Sequence, residues 1–176
     1  MTTTFGSVAR RGELVDLTFD RVYATTVPDV WSAVTEPARL ARWMTTYTGD
    51  LRLGGRWDAH ETDGSVYCSG TVTECDPPHR YVTTWEYEGV APSTVTVTVT
   101  EHPEGALLVL QHDGIAQTGY APGWQAYLEQ LDESLPVGAS SQVDPDRPAG
   151  VTWEARYEAL RPVWSARLAA TTGSTT

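Results

Sequence analysis

The sequence predicts an α+β fold in which a curved antiparallel β-sheet wraps around one long α-helix. Two observations support this prediction. Over residues 21–44, a strand-like segment runs into two short helical segments. Near Trp124, an amphipathic helix follows a long series of segments that alternate as strands do. Because strands and helices are segregated along the chain and no βαβ pattern occurs, a parallel α/β architecture is excluded.

The N-terminal part of this plan reads as one strand and two helices. Residues 13–23 alternate apolar and polar side chains, which is typical of a half-buried strand. Pro28 then stands where a first helical turn tolerates proline. Thr35 and Pro37 restart the helical pattern after a break, since the first is a capping residue and the second suits an initial helical position. We therefore expect two short helices after the first strand.

The middle of the chain reads as hairpins. Turn sequences at residues 54–55, 63–64 and 76–78 separate short segments rich in β-branched and aromatic residues. Residues 93–100 show the clearest alternation, with valines on one face and threonines on the other. The predicted strands are residues 51–53, 56–61, 65–74, 81–87, 93–100 and 106–112.

Two helical stripes complete the chain. In residues 122–135, the apolar side chains fall on one helical face, and Pro136 ends that helix. A second stripe runs from Trp153 to Leu168, and Pro162 inside it should kink or split the helix. We expect residues 171–176 to be disordered.

The composition divides the chain into one domain and an extension. Residues 137–150 are rich in Ser, Asp, Pro and Gly, as linkers are. We therefore expect a single domain over residues 1–136. Residues 137–176 then form a linker and an amphipathic helical extension, packed on the domain or on a partner subunit in a homodimer.

Charge and cysteine content limit the classes of partner. The net charge is -11, from 23 acidic and 12 basic residues, and the chain contains no Lys. Such a chain is repelled by nucleic acids and by anionic membranes, so neither is expected as a partner. There is no apolar run suited to a signal peptide or membrane span. Cys68 and Cys75 fall on opposite faces of one strand, and two unpaired thiols suit the cytoplasm.

Several ordered motifs carry a resemblance to a known family. They are VPDVWSAVTEPARLARWM at residues 27–44, GG-x-W at 54–57, G-x-V-x-E-x-x-P-P-x-R-x-x-x-x-W at 70–85, and Trp124 with its leucine stripe. Over residues 13–135 the chain resembles the START-like superfamily, which includes Bet v 1 and the polyketide cyclases. Within it, the chain is most similar to the branch named for activators of the heat-shock-protein-90 ATPase. The resemblance implies a helix-grip fold with an apolar cavity between the sheet and the long helix.

A cavity also follows from geometry, because one helix laid across a strongly curled sheet does not fill the whole groove. We expect it to bind a small apolar or aromatic molecule. The alternative is that the same side chains simply pack the core. The expected lining residues are Trp57, Tyr67, Tyr81, Trp85, Tyr87, Val97, Leu110, His112, Trp124 and Leu128.

Polar residues near this expected cavity leave two other functions open. Asp58 and His60 share a strand face and could form an acid–base pair, while His112 is in phase with the apolar wall of its strand. These three residues are the catalytic candidates if the protein is a cyclase-like or hydrolase-like enzyme. The resemblance also implies a chaperone-interacting module as a third hypothesis. No metal and no cofactor is expected, because there is no CxxC motif, phosphate loop or dinucleotide fingerprint.

Overall fold

The computed structural model describes residues 2–116 and 119–171. Its elements in chain order are β1 (Ser7–Arg11), β2 (Leu14–Tyr23), α1 (Val27–Thr35), α2 (Pro37–Trp43), β3 (Thr46–Gly49), β4 (Arg56–His60), β5 (Val66–Asp76), β6 (Arg80–Trp85), β7 (Ser93–His102), β8 (Gly105–Ile115), α3 (Tyr120–Ser134) and α4 (Trp153–Ala170).

The strands form one antiparallel sheet in the order β1-β2-β8-β7-β6-β5-β4-β3. Helices α1 and α2 connect β2 to β3, and α3 is the long helix that packs into the curved sheet. The predicted helix-grip fold class is confirmed, including the two short helices before the run of hairpins. Thr26 caps α1 by accepting a hydrogen bond from the Asp29 amide, and Pro37 begins α2.

The structure corrects the strand assignment at two places. The N-terminal strand β1, which the sequence analysis missed, pairs with β2. The predicted strand at residues 51–53 is wrong, because the strand before the turn is Thr46–Gly49, which pairs with β4. The turn follows at once: the Gly55 amide donates to the Arg52 carbonyl, and Leu53 is 66% exposed. Burial of Tyr47 opposite Ala59 explains why the earlier segment is the one that pairs.

A close approach of two strands depends on Gly70 in β5. Any Cβ at this position would overlap the Thr84 carbonyl oxygen and the indole of Trp57. The missing side chain lets the Trp57 ring lie across β5, where its Nε1 donates to Thr83 Oγ1 at 2.7 Å. The ring is therefore fully buried against the neighbouring strands.

Helix α3 has two buried faces. Trp124, Leu128 and Leu131 are buried in the hydrophobic core together with the inner residues of the sheet. Gln125 and Glu129 are also buried, and they bind side chains of α4: Trp164 Nε1 donates to Gln125 Oε1 at 2.7 Å, and Arg156 pairs with Glu129. The second face explains why the helix has more buried residues than its apolar stripe contains.

Helix α4 continues through Pro162, so the proline does not split the helix, and the expected kink stays a prediction. Leu160 and Trp164, on either side of the proline, are both buried, while Pro162 itself is exposed. Packing on both sides holds the two halves in one helix. Proline has no N–H to bond the carbonyl four residues earlier, and the exposed position leaves that carbonyl accessible to water. The expected disorder of residues 171–176 falls, apart from Thr171, outside the described residues. Within the described residues, no helix combines the length and the apolar character of a membrane span.

Candidate ligand-binding cleft

The interior between the sheet and α3 is almost completely filled by aromatic rings. Trp57 lies 5.3 Å from Trp85 between ring centroids, and Trp85 lies 5.3 Å from Trp124. The space that remains is about 30 Å³, which suffices for a water molecule or two but for no organic guest. Four of the expected lining residues border this small void and not the cleft described next: Trp57, Tyr81, Val97 and Leu110. The interior itself therefore has no room for the expected ligand.

A much larger space, about 390 Å³, opens where the first half of α3 meets the strand ends and α4. We call it the mouth cleft. Its volume falls within the usual range of small-molecule sites. Met44, Trp85 and Trp124 border both spaces, so they separate the cleft from the inner void. The lining residues are Met44, Thr45, Glu61, Thr62, Tyr67, Trp85, Tyr87, Gly119, Tyr120, Gly123, Trp124, Tyr127, Trp153, Glu154 and Tyr157.

Eight of these lining residues are aromatic, and five of them form a continuous row of rings. The row runs from Trp85 to Trp124, then Tyr127, Trp153 and Tyr157, with centroid separations of 5.3, 6.5, 5.0 and 5.0 Å. The last pair stacks with an interplanar angle of 17°. Because Trp153 and Tyr157 belong to α4, the C-terminal extension supplies one wall of the cleft. A flat apolar molecule would find ring faces along this row.

Polar groups at the cleft are hydroxyls and carboxylates. Glu61 and Glu154 are the charged lining residues, and the described lining contains no Arg. Burial raises the pKa of Tyr127 to about 12, and the carboxylates of Glu61 and Glu154 act in the same direction. The indole Nε1 atoms of Trp85 and Trp153 are buried, so neither is exposed to the cleft. The cleft therefore offers negative charge to a ligand.

The expected residue His112 lies behind the wall of the cleft rather than in it. Its side chain is fully buried, and its ring is 4.7 Å from Tyr120 and 5.7 Å from Trp85 between centroids. Nδ1 accepts a hydrogen bond from Trp124 Nε1 at 2.9 Å, and Nε2 lies 2.7 Å from Ser93 Oγ. Burial lowers the pKa of His112 to about 3. At neutral pH the ring is uncharged and both nitrogens are engaged, so it supports the wall and is not free to act as a base.

The other two catalytic candidates lie outside both spaces. Asp58 accepts a hydrogen bond from Ser69 Oγ at 2.5 Å, and His60 contacts Thr48 Oγ1 at 2.7 Å and the Gly64 carbonyl at 3.1 Å. Neither borders the inner void or the mouth cleft, because the buried residues of β4 on the opposite face are the ones turned inward. The described residues contain no group of three or more His, Cys, Asp and Glu that could hold a metal ion.

The structure brings only part of the expected lining together at the cleft. Tyr67, Trp85, Tyr87 and Trp124 border it, while Leu128 is buried in the core away from both spaces. Sequence reasoning missed Tyr120, Tyr127, Trp153 and Tyr157, and it missed both carboxylates. The aromatic pair Trp153 and Tyr157, four residues apart, was a signal for an aromatic helix face. No sequence pattern indicated which surface that face would meet.

The sheet, the gripping helix and the cleft at its mouth define a protein of the START-like helix-grip class. Residues 24–135 match the family described as Activator of Hsp90 ATPase homolog 1-like protein, and the chain belongs to this family. None of the curated proteins compared with the sequence matches it.

Three solved structures show how far the likeness extends. CalU16 from Micromonospora echinospora is 26% identical, with a TM-score of 0.73, over 96% of this chain and 99% of that protein. EF2215 from Enterococcus faecalis is 13% identical, with a TM-score of 0.68, over 96% and 92%. An HSP90 activator from Plasmodium falciparum is 23% identical, with a TM-score of 0.58, over 70% and 99%. Coverage of 96% extends well past residue 136, so the first two structures share most of the extension.

Proposed function

We propose that this protein binds a small aromatic or apolar molecule in the mouth cleft. The observation that carries the proposal is a space of about 390 Å³ bordered by eight aromatic residues. Such a lining provides large contact areas with little conformational entropy to lose, because aromatic side chains have few rotatable bonds.

The C-terminal extension is part of the proposed site. Residues 137–171 of the extension pack on the domain through a buried charge network, in which Arg156 binds Glu129 at 2.6 Å and Asp144 at 2.9 Å. This network holds the start of α4, with Trp153 and Tyr157, against the cleft. We therefore propose that the extension completes the site of its own subunit. Binding is favoured over catalysis because the three catalytic candidates are all absent from the cleft lining. We place the protein in the cytoplasm, since Cys68 and Cys75 are both free thiols.

The test uses the neutral probe 2-naphthylmethanol and a variant that fills the cleft. Thr62 borders the cleft and is exposed, so Thr62→Trp should occupy the space without disturbing the core. Thr100→Trp places the same bulk on an exposed position of β7 away from the cleft. We expect the probe to raise the melting temperature of the wild type and of Thr100→Trp, and to leave Thr62→Trp unchanged. A probe that stabilises none of the three proteins, or all three alike, would contradict the proposal.

The family description supports a second candidate, which is stimulation of an Hsp90 ATPase. This second function does not require a ligand in the mouth cleft. Adding the purified protein to an Hsp90 from the same source and measuring ATP hydrolysis tests it. An unchanged rate together with no co-purification would remove it.

A further inference from the structure

We propose that the mouth cleft selects ligands in which a positively charged ammonium group is joined to an aromatic or apolar body. This inference rests on the proposed binding function and adds the charge of the ligand to it. The features that support it are the two carboxylates of the cleft, the lack of Arg among its described lining residues and the density of its aromatic rings.

The two carboxylates reach the cleft from separate elements. Glu61 follows β4, and Glu154 lies in the first turn of α4. Both border the cleft, and both act on the hydroxyl of Tyr127, whose pKa is raised by its burial and by these negative charges. An ammonium group near Tyr127 would therefore be attracted by two carboxylates at the same time.

These carboxylates have no competing cation among the described residues. Neither Glu61 nor Glu154 forms an ion pair there, and the described cleft lining contains no Arg, while the chain has no Lys at all. The buried carboxylates elsewhere are treated differently, since Glu129 and Asp144 are both paired with Arg156. The carboxylates of the cleft are therefore available to pair with a positively charged ligand.

The aromatic walls favour the same charge. The face of an aromatic ring carries negative electrostatic potential and attracts cations, and Trp attracts them most strongly. Trp85, Trp124 and Trp153 all border the cleft, and Tyr127 and Tyr157 lie beside them in the row. A cation held in this partly dehydrated space is attracted by several ring faces. An anion is repelled by the same faces and by the carboxylates.

The experiment compares three probes that share one aromatic body and differ in charge. They are (2-naphthylmethyl)trimethylammonium, 2-naphthylmethanol and 2-naphthylacetate, titrated against the full chain by calorimetry. We expect the cation to bind about tenfold more tightly than the alcohol, which is the gain from one well-formed cation–π contact in a dehydrated site. The anion should bind more weakly than the alcohol. Raising the salt concentration should reduce the advantage of the cation, because salt screens the exposed carboxylates.

Charge-neutral variants show whether the carboxylates act in the cleft. Glu61 and Glu154 are both exposed, so the double variant Glu61→Gln and Glu154→Gln keeps the core intact. It should weaken binding of the cation by about three- to tenfold, and it should leave the alcohol within about twofold of its wild-type affinity. Glu101→Gln, at an exposed position on β7 outside the cleft, removes one negative charge away from the site and should change neither affinity.

The outcomes separate this inference from the proposed function. If the alcohol and the cation bind equally, or if Glu101→Gln weakens the cation as much as the double variant does, the charge preference is wrong while the binding function stands. Preference for the anion overturns the inference in the same way. If none of the three probes binds, the proposed function fails and the inference fails with it.

Discussion

The indole N–H of Trp124 donates a hydrogen bond to Nδ1 of His112 at 2.9 Å, and this bond fixes the tautomer of the histidine. Because an indole nitrogen is only a donor, Nδ1 must be unprotonated, and the proton of the neutral ring resides on Nε2. Nε2 then donates to Ser93 Oγ across 2.7 Å. Trp124 borders both the inner void and the mouth cleft, so a neutral histidine on β8 positions the ring that divides them.

Removing the histidine should therefore cost stability. In His112→Leu, the buried indole N–H of Trp124 loses its acceptor, and a buried unpaired donor costs about 1–3 kcal/mol in the free energy of unfolding. Urea denaturation measures this loss. Combining His112→Leu with Trp124→Phe removes the unpaired donor and should make the two changes non-additive in a double-mutant cycle. Strict additivity would show that the bond does not contribute to stability.

The same histidine predicts how stability depends on pH. Burial lowers the pKa of His112 in the folded protein from 6.5 to about 3. The stabilising contribution of the neutral ring is therefore fully present above pH 6.5. Below that pH, His112 is protonated in the unfolded chain but not in the folded protein. The free energy of unfolding therefore falls by about 1.4 kcal/mol per pH unit until the pKa of the folded protein is reached. Unfolding free energies measured between pH 7 and pH 4.5 should show this slope in the wild type, in excess of His112→Leu. Parallel curves for the two proteins would contradict the lowered pKa.

Most of the fold could be predicted from the sequence because most elements are marked by residues within the element itself. Alternating valines and threonines in β7 and the proline-marked starts of the two short helices each reflect the element that contains them. Strand β1 was missed because its stabilising contacts are remote. Arg10 donates to the carbonyls of Leu168 and Thr171 at the end of α4, a contact that bridges the whole chain. Periodicity in a window of residues carries no information about such a partner.

The site was harder to predict than the fold. Patterns indicate that Trp57 and Trp85 face inward, but they do not indicate that the rings fill the interior instead of surrounding a cavity. That distinction depends on the summed volumes of side chains from several elements. The mouth cleft depends further on the docking of α4 onto α3, which is specified by Gln125, Glu129 and Arg156. Buried polar pairs of this kind cannot be recognised before the two helices are placed together.

The docking of α4 should be sensitive to loss of Arg156. Its guanidinium is 3% exposed and pairs with Glu129 and Asp144, and it helps to keep the pKa of the Asp144 carboxyl below its usual value despite the burial of that group. Arg156→Leu leaves Asp144 without this partner, and removing one member of a buried pair costs about 3–5 kcal/mol. Urea denaturation measures the loss, and hydrogen exchange should show α4 opening first.

Arg161 in the same helix offers a matched control for this prediction. Its pair with Glu158 is exposed on both sides, so Arg161→Leu should change the unfolding free energy by less than about 1 kcal/mol. If Arg156→Leu and Arg161→Leu are equally mild, the buried network does not hold α4 on α3. The proposed wall of the cleft from Trp153 and Tyr157 would then lose its support.

A substitution at Gly123 tests the packing between α3 and α4 with a single methyl group. The Cβ of an alanine would lie 3.6 Å from Trp153 and 3.9 Å from Tyr157, which is ordinary van der Waals contact. Because glycine within a helix costs up to about 1 kcal/mol relative to alanine, Gly123→Ala should raise the free energy of unfolding by that amount. The methyl group also narrows the mouth cleft, so affinity for 2-naphthylmethanol should fall as stability rises.

Gly70→Ala is the contrasting control: its Cβ would overlap the Thr84 carbonyl and the Trp57 ring, and such overpacking costs about 1–3 kcal/mol. A destabilised Gly123→Ala protein would mean that Trp153 and Tyr157 lie closer to α3 than ordinary contact allows.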